Sequence, residues 1–157
     1  MRFIKRVLAA RLITAISGLN AVAAERDVKD WSAIEKAASG QTVYFNAWGG
    51  SENINAYLEW VGAEMQSRYG VTVLQVKLED TASAVAKVIA EKAAGKNEGG
   101  SVDLIWINGP NFELYASHGM LQDLSELEGF DPANYPPNLV ELYTYEGTPY
   151  AVPKDFD

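Results

Sequence analysis

The chain has 157 residues, of which 48% are hydrophobic and 22% are charged, and these proportions are typical of one globular domain. Its formal net charge is −8 at pH 7, and an acidic surface repels both nucleic-acid phosphates and anionic lipid headgroups. Composition and charge therefore exclude a disordered or fibrous protein and argue against nucleic acid or a membrane surface as a partner.

Residues 1–24 are expected to form a secretory signal peptide. MRFIKR is basic, VLAARLITAI is apolar but too short to cross a bilayer, and SGLNAVAA ends in the small residues Ala23 and Ala24. An amphipathic N-terminal helix is the alternative, because Arg11 interrupts the apolar run. The chain has no cysteine, so we expect the mature protein, residues 25–157, to lie free in a bacterial periplasm without disulfides or a lipid anchor.

The mature chain is predicted to alternate between helices and strands. DWSAIEKAASG predicts a short helix that ends at Gly40, and QTVYFNAW predicts a strand after it. In the next segment Ile54, Leu58 and Val61 recur every three or four residues, which predicts a helix that continues as far as Gly70. A strand-to-helix corner therefore lies within FNAWGGSEN.

The same alternation then repeats. VTVLQVKL predicts a second strand, and ASAVAKVIAEKAAG predicts a helix that Thr81 can cap. VDLIWI, a nearly continuous apolar run, predicts a strand buried on both faces, and FELYASHG predicts the helix after it. Three strands joined by two long helical crossovers predict an α/β fold with a doubly wound parallel sheet and helices on both faces. LYTYEGTPYAVP predicts a hairpin that turns at Glu146 and Gly147.

Corners that contain glycine and amide side chains follow the first and third predicted strands. Ligands of open parallel sheets bind beyond the carboxyl ends of the strands, where WGGSEN and NGPN are predicted to lie. Glycines let the backbone approach a bound group, Trp48 can stack on an apolar or sugar-ring face, and uncharged polar side chains can form hydrogen bonds. The candidate ligand-binding residues here are Trp48, Gly49, Gly50, Ser51, Asn108, Gly109 and Asn111.

These corners also have a purely structural interpretation. In it the glycines only form the turn, Ser51 or Asn53 only caps the helix, and Trp48 only covers the end of the sheet. Two similar corners at one edge favour a ligand site over this interpretation.

Known catalytic patterns are absent from the sequence. There is no G-x-S-x-G, G-x-G-x-x-G or G-x-x-x-x-G-K-[ST] segment. His118 is the only histidine, and its place before Gly119 suggests an imidazole that rests on the last carbonyl groups of a helix. No spacing pairs the acids that were considered as catalytic groups, Asp80, Asp103, Asp155 and Asp157. We therefore predict no catalytic residue, no metal site and no cofactor.

The sequence resembles the N-terminal lobe of a periplasmic solute-binding protein of an ABC importer, of the type II kind with two α/β lobes around a cleft. The part from GQTVYFNAWGG to GGSVDLIWING resembles a thiamine-like and uncharacterised transport subfamily, whereas YASHGMLQDLSEL and LYTYEGTPYAVPKDFD resemble sugar-binding families. The resemblance implies that Pro153, Lys154 and Asp155 are hinge or cleft residues. Because the chain stops at Asp157, where a crossover to the second lobe would begin, we expect residues 25–157 to be a truncated first lobe.

The resemblance implies that the protein captures a solute and delivers it to an importer, without chemistry on the solute. It implies a small-molecule solute, such as a sugar or a thiamine-like or polyamine compound, and the importer's membrane subunits as protein partners of a monomer. Two alternatives come from other classes: a fragment of a secreted α/β hydrolase whose nucleophile lies elsewhere, and an exported domain that binds another protein through its acidic surface.

Overall fold

A computed structural model describes residues 30–96, 98–125, 127 and 130–153. The predicted signal peptide and the candidate cleft residues Lys154 and Asp155 lie outside these ranges. In chain order the elements are α1 (Trp31–Ala38), β1 (Thr42–Trp48), α2 (Glu52–Tyr69), β2 (Thr72–Leu78), α3 (Thr81–Ala93), β3 (Leu104–Ile105), α4 (Gly109–Ser117), a 3-10 turn (Pro132–Asn134), α5 (Pro137–Leu142), β4 (Thr144–Tyr145) and β5 (Thr148–Pro149).

The first three strands form a parallel sheet with the order β2-β1-β3. β1 and β2 pair along their whole length, whereas β3 pairs with β1 at only two positions, Leu104 with Phe45 and Ile105 with Asn46. Helix α2 connects β1 to β2, and α3 connects β2 to β3 on the other side of β1. Because both crossovers are right-handed but run in opposite directions across the sheet, the two helices lie on opposite faces of the sheet. The predicted α/β fold with a doubly wound parallel sheet is confirmed.

One expectation about the third strand is wrong. The apolar run VDLIWI was predicted to be buried on both faces, but β3 has only two residues and Leu104 is 53% exposed. β3 is also the edge strand among the described residues, so no described strand shields its outer side.

Helix α2 has strong signals at both of its ends. The Ser51 hydroxyl accepts a hydrogen bond from the Ile54 amide at 3.4 Å, which satisfies one of the free amides of the first turn. At the other end Gly70 adopts a left-handed conformation with φ of 67°, which glycine tolerates best. The predicted helix is therefore confirmed, and Ser51 caps it, as the purely structural interpretation of this corner has it.

Helix α3 is capped by a different residue from the one predicted. The Asp80 carboxylate accepts a hydrogen bond from the Ala82 amide at 2.8 Å, and Thr81 is already the first residue of the helix. The Thr81 hydroxyl instead donates to the carbonyl of Trp106 at 3.1 Å. This bond attaches the start of α3 to the chain just beyond β3.

The buried core connects α3, α4 and the middle of the sheet. The Tyr115 hydroxyl, in α4, donates to the carbonyl of Ala84, in α3, at 3.1 Å. Burial raises the pKa of Tyr115 to about 12, and the negative charge of Glu91 adds to the effect. Buried apolar residues among those described are Ala47, Val71, Ala84, Val85, Phe112, Tyr115 and Ala116.

The predicted hairpin is formed by β4 and β5. Thr144 pairs with Pro149 and Tyr145 pairs with Thr148 in an antiparallel register. Glu146 and Gly147 form the turn with positive φ angles of 49° and 84°, the combination that a two-residue hairpin turn requires.

Candidate functional site

The two predicted corners lie at the same edge of the sheet. β3 is a neighbour of β1, and their register pairs Asn46 with Ile105. The β1 corner, residues 48–51, starts two positions beyond this pair, and the β3 corner, residues 108–111, starts three positions beyond it. Because parallel strands end at the same edge, the structure brings these two segments together where ligands of open sheets bind.

The backbone of the β1 corner is already used by the fold. The Gly49 amide donates to the carbonyl of Leu78 at 2.9 Å, which continues the pairing of β1 with β2. The Gly49 carbonyl accepts from Asn55 Nδ2 at 2.9 Å, and Asn55 Oδ1 accepts from Gln75 Nε2 at 2.9 Å. These bonds attach the corner to α2 and β2, so both backbone hydrogen-bonding groups of Gly49 already have partners within the fold.

Both glycines of the β1 corner allow close packing. A Cβ atom on Gly49 would lie 2.7 Å from Cβ of Lys77, and one on Gly50 would lie 2.6 Å from Cε2 of Trp48. The Trp48 indole therefore lies against Gly50, while 45% of the residue remains exposed. Trp48 thus covers the corner and still presents ring surface to solvent.

The β3 corner is more open than the β1 corner. Asn108 occupies the N-cap position of α4 but forms no side-chain cap; its Oδ1 instead accepts a hydrogen bond from Asn111 Nδ2 at 2.7 Å. Asn108 and Gly109 are exposed, and a Cβ atom on Gly109 would meet nothing within 4 Å. The first turn of α4 has backbone amides without intrahelical partners, so this corner offers hydrogen-bond donors to a ligand.

Two features near the site were not singled out in the sequence. Asn46 is only 1% exposed on the central strand, and its carbonyl accepts from the Trp106 amide at 2.8 Å. A polar residue within the apolar strand YFNAW was the available signal for it. The end of β2 also reaches this edge of the sheet, and it adds the exposed charges of Lys77 and Glu79 beside Asp80, which was considered above.

A cavity among the described residues lies beside β3. It has a volume of about 770 Å³, and its lining includes no residue of the β1 corner or the β3 corner. Contributing side chains come from β3, α3, α4 and the segments on both sides of the hairpin, among them Val88, Leu104, Ile105, Tyr115, Met120 and Tyr150. The cavity therefore reaches Ile107, next to the β3 corner, but neither corner lines it.

Groups that were considered for catalysis serve the fold where the structure describes them. Asp103 Oδ2 accepts from the Tyr44 amide at 2.8 Å, and His118 Nδ1 lies 2.9 Å from the carbonyl of Leu114, as predicted for a histidine at a helix end.

Within the described ranges no three histidine, aspartate or glutamate side chains lie close enough to hold a metal ion. None of the helices in those ranges has the length and apolar character needed to span a bilayer.

Comparison with known sequences identifies a family. Residues 60–156 match the family model for the bacterial extracellular solute-binding protein. Over 93 residues the chain is 50% identical to Protein YnjB of Escherichia coli strain K12, and this match covers 59% of the chain and 24% of that protein. The residues matched by the family model include the β3 corner but begin after the β1 corner.

Solved structures of the same kind share the fold. The extracellular solute-binding protein family 1 from Alicyclobacillus acidocaldarius has a TM-score of 0.57 at 20% identity, with 71% of this chain and 27% of that one covered. An ABC transporter solute-binding protein from Agrobacterium vitis S4, with bound D-mannitol, has a TM-score of 0.54 at 21% identity, with 72% and 27% covered. The chain thus spans about a quarter of the length of these relatives. It belongs to the family of bacterial extracellular solute-binding proteins.

Proposed function

We propose that this chain forms one wall of a solute site in the substrate-binding component of an ABC importer. The observation that carries the proposal is the position of the β1 corner and the β3 corner, side by side at the carboxyl edge of the sheet in a member of the solute-binding family. The site captures a small molecule and hands it to the importer's membrane subunits, and the chain performs no chemistry on it.

The two corners would hold the solute in different ways. The exposed part of the Trp48 indole offers a flat apolar surface for a ring or an alkyl chain. Asn108 and Asn111 offer amide donors and acceptors, and the open space at Gly109 allows close approach to the backbone of α4. The Ser51 oxygen is used in capping α2, but its hydroxyl hydrogen remains able to bond a ligand.

These contacts suit an uncharged or weakly polar solute with a ring or hydroxyl groups, such as a sugar. A thiamine-like or polyamine cation is the second candidate, because the acids at the end of β2 could attract a positive charge. Lys154 and Asp155 stay predicted cleft contacts on the strength of the family resemblance. The mature protein acts as a monomer in the periplasm after residues 1–24 are removed. Family membership favours this function over the hydrolase fragment and the protein-interaction domain.

Nuclear magnetic resonance titration of the mature chain tests the proposal, because it detects the weak binding expected of one wall of a cleft. The chain is titrated with sugars and sugar alcohols, thiamine and spermidine. We expect one class of solute to shift the amide signals of the β1 corner and the β3 corner together. Trp48→Ala should weaken that binding by about 1–3 kcal/mol, because a stacked aromatic contact is lost.

Trp60→Ala is the matched control, since Trp60 is 56% exposed on α2 and lies outside both corners. It should leave the affinity unchanged. Equal affinity for wild type and Trp48→Ala, or signal shifts confined to other parts of the chain, would refute the proposed site.

A further inference from the structure

The backbone of Trp106, just before the β3 corner, is bonded to two different elements. Its amide donates to the carbonyl of Asn46, in β1, at 2.8 Å. Its carbonyl accepts from the hydroxyl of Thr81, the first residue of α3, at 3.1 Å. The pairing of β3 with β1 ends one position earlier, at Ile105. Among the hydrogen bonds described, these two therefore connect the start of the β3 corner to β1 and to α3 most directly.

Helix α3 also holds α4, which follows the corner. The Tyr115 hydroxyl of α4 donates to the Ala84 carbonyl of α3. Near the end of α3, Lys92 Nζ donates to the carbonyls of His118 and Gly119 at 2.7 and 2.8 Å. The β3 corner therefore lies between two segments that are both bonded to α3, whereas β1 pairs with β3 at only two positions.

The segment 78–81, at the end of β2, connects the two corners. The Gly49 amide of the β1 corner donates to the Leu78 carbonyl at 2.9 Å. Asp80 caps α3 through the Ala82 amide and so fixes the position of Thr81, which is bonded to the residue before Ile107 and the β3 corner. One bond of this segment reaches each corner, so loss of the second bond should release the β3 corner and leave the β1 corner in place.

We propose that Thr81 is a positioning residue of the solute site: its hydroxyl, through the Trp106 carbonyl, sets where residues 108–111 lie relative to the β1 corner. The inference rests on the proposed function, because it concerns one of the two corners that would hold the solute. The hydroxyl proton is used in the bond to Trp106, so Thr81 acts through the backbone and not as a donor to the solute. A methyl group in its place would deprive a part-buried carbonyl of this donor.

Thr81→Val tests the inference, because it keeps the shape of the side chain and removes the hydroxyl. Nuclear magnetic resonance spectra of the mature chain are recorded first without solute. We expect the amide signals of Asn108, Gly109 and Asn111 to shift while those of the β1 corner keep their positions.

The variant is then titrated with the same sugars and sugar alcohols, thiamine and spermidine as the wild type. The dissociation constant of the solute that binds wild type should rise about three- to tenfold, an effect comparable to the loss of one hydrogen bond, because the β3 corner is no longer held in one arrangement.

Thr144→Val is the matched control, since the Thr144 hydroxyl also donates to a carbonyl, that of Val140 at 2.7 Å, but lies outside both corners. It should leave the corner signals and the affinity unchanged. Thr81→Ser keeps the hydroxyl and should restore both. Urea unfolding checks that each variant is folded under the conditions of the titration.

Unchanged signals of residues 108–111 in Thr81→Val, an affinity equal to that of wild type, or a Thr81→Ser variant that behaves like Thr81→Val would overturn the inference. Each of these results leaves the proposed solute site intact, because wild type still binds. Failure of wild type to bind any solute would instead refute the proposed function, and the spectra without solute would still decide whether Thr81 positions the β3 corner.

Discussion

The β1 corner and the β3 corner both contain glycine but have different structural roles. At the β1 corner the Gly49 amide and carbonyl are both bonded, to Leu78 and Asn55, and a larger residue would collide with Lys77. At the β3 corner a Cβ atom on Gly109 would meet only open space. A glycine that follows a strand therefore lies in a fixed junction in one place and on an accessible surface in the other.

The difference follows from the positions of the two strands. β1 is central and pairs with β2 at seven positions, from Thr42 with Thr72 to Trp48 with Leu78. β3 is at the edge and pairs at two. The β1 corner continues a long ladder that takes the Gly49 amide, whereas among the described residues no ladder with another strand continues into the β3 corner.

The largest expected effect comes from adding one methyl group to the β1 corner. Gly49→Ala places a Cβ atom 2.7 Å from Cβ of Lys77, which is closer than two carbon atoms can approach. The strands must shift, so we expect the free energy of unfolding to fall by about 1–3 kcal/mol, as for other overpacked sites. Urea unfolding followed by circular dichroism measures the change.

Gly109→Ala is the matched control at the β3 corner. It meets no atom within 4 Å and lies in the first turn of α4, where alanine favours a helix over glycine, so stability should stay equal or rise by up to about 1 kcal/mol. Equal losses for the two variants would show that the corners do not differ in packing.

A smaller effect is expected when the hydrogen-bond bridge of the β1 corner is removed. Asn55→Ala leaves the Gly49 carbonyl and Gln75 Nε2 without their present partner, and both groups are partly buried. We expect a loss of about 1–2 kcal/mol in the free energy of unfolding. Asn111→Ala, which removes only the exposed bond to Asn108, should stay within about 0.5 kcal/mol of wild type. An Asn55 variant as stable as the Asn111 variant would contradict the tight connection of the β1 corner.

The smallest effect concerns how α4, which begins at the β3 corner, is anchored to α3. Tyr115→Phe removes the bond to the Ala84 carbonyl, so at pH 7 we expect a loss of about 0.5–1.5 kcal/mol in the free energy of unfolding. Burial raises the pKa of Tyr115 to about 12, above its ordinary value of 10. The contribution of this phenol to stability is therefore complete below pH 10 and decreases as the pH rises from 10 towards 12, because the unfolded chain loses the proton first.

Urea midpoints of wild type and Tyr115→Phe at pH 7 and pH 11 measure this contribution. The difference between the two proteins should shrink at the higher pH, since only wild type carries the phenol. A difference that stays constant with pH would show that the Tyr115 proton is not held more tightly in the folded state.

Local signals in the sequence predicted most of the elements but not their environments. The three-to-four residue spacing of Ile54, Leu58 and Val61 predicted α2, and the turn residues Glu146 and Gly147 predicted the hairpin. The apolar run containing Leu104 predicted a strand correctly and its burial wrongly. Periodicity reports the conformation that a segment prefers, but it does not report what lies beside the segment.

By itself the sequence determined the alternation of strands and helices, the acidic character of the chain and the presence of glycine corners after the first and third strands, because these depend on backbone preferences and composition. Only the tertiary structure decided that Gly49 is bonded to β2, that the Trp48 indole lies against Gly50, and that the cavity lies along β3 instead of at the corners. These features depend on which strands become neighbours and in which register, and such contacts between distant segments are set by packing of the whole domain.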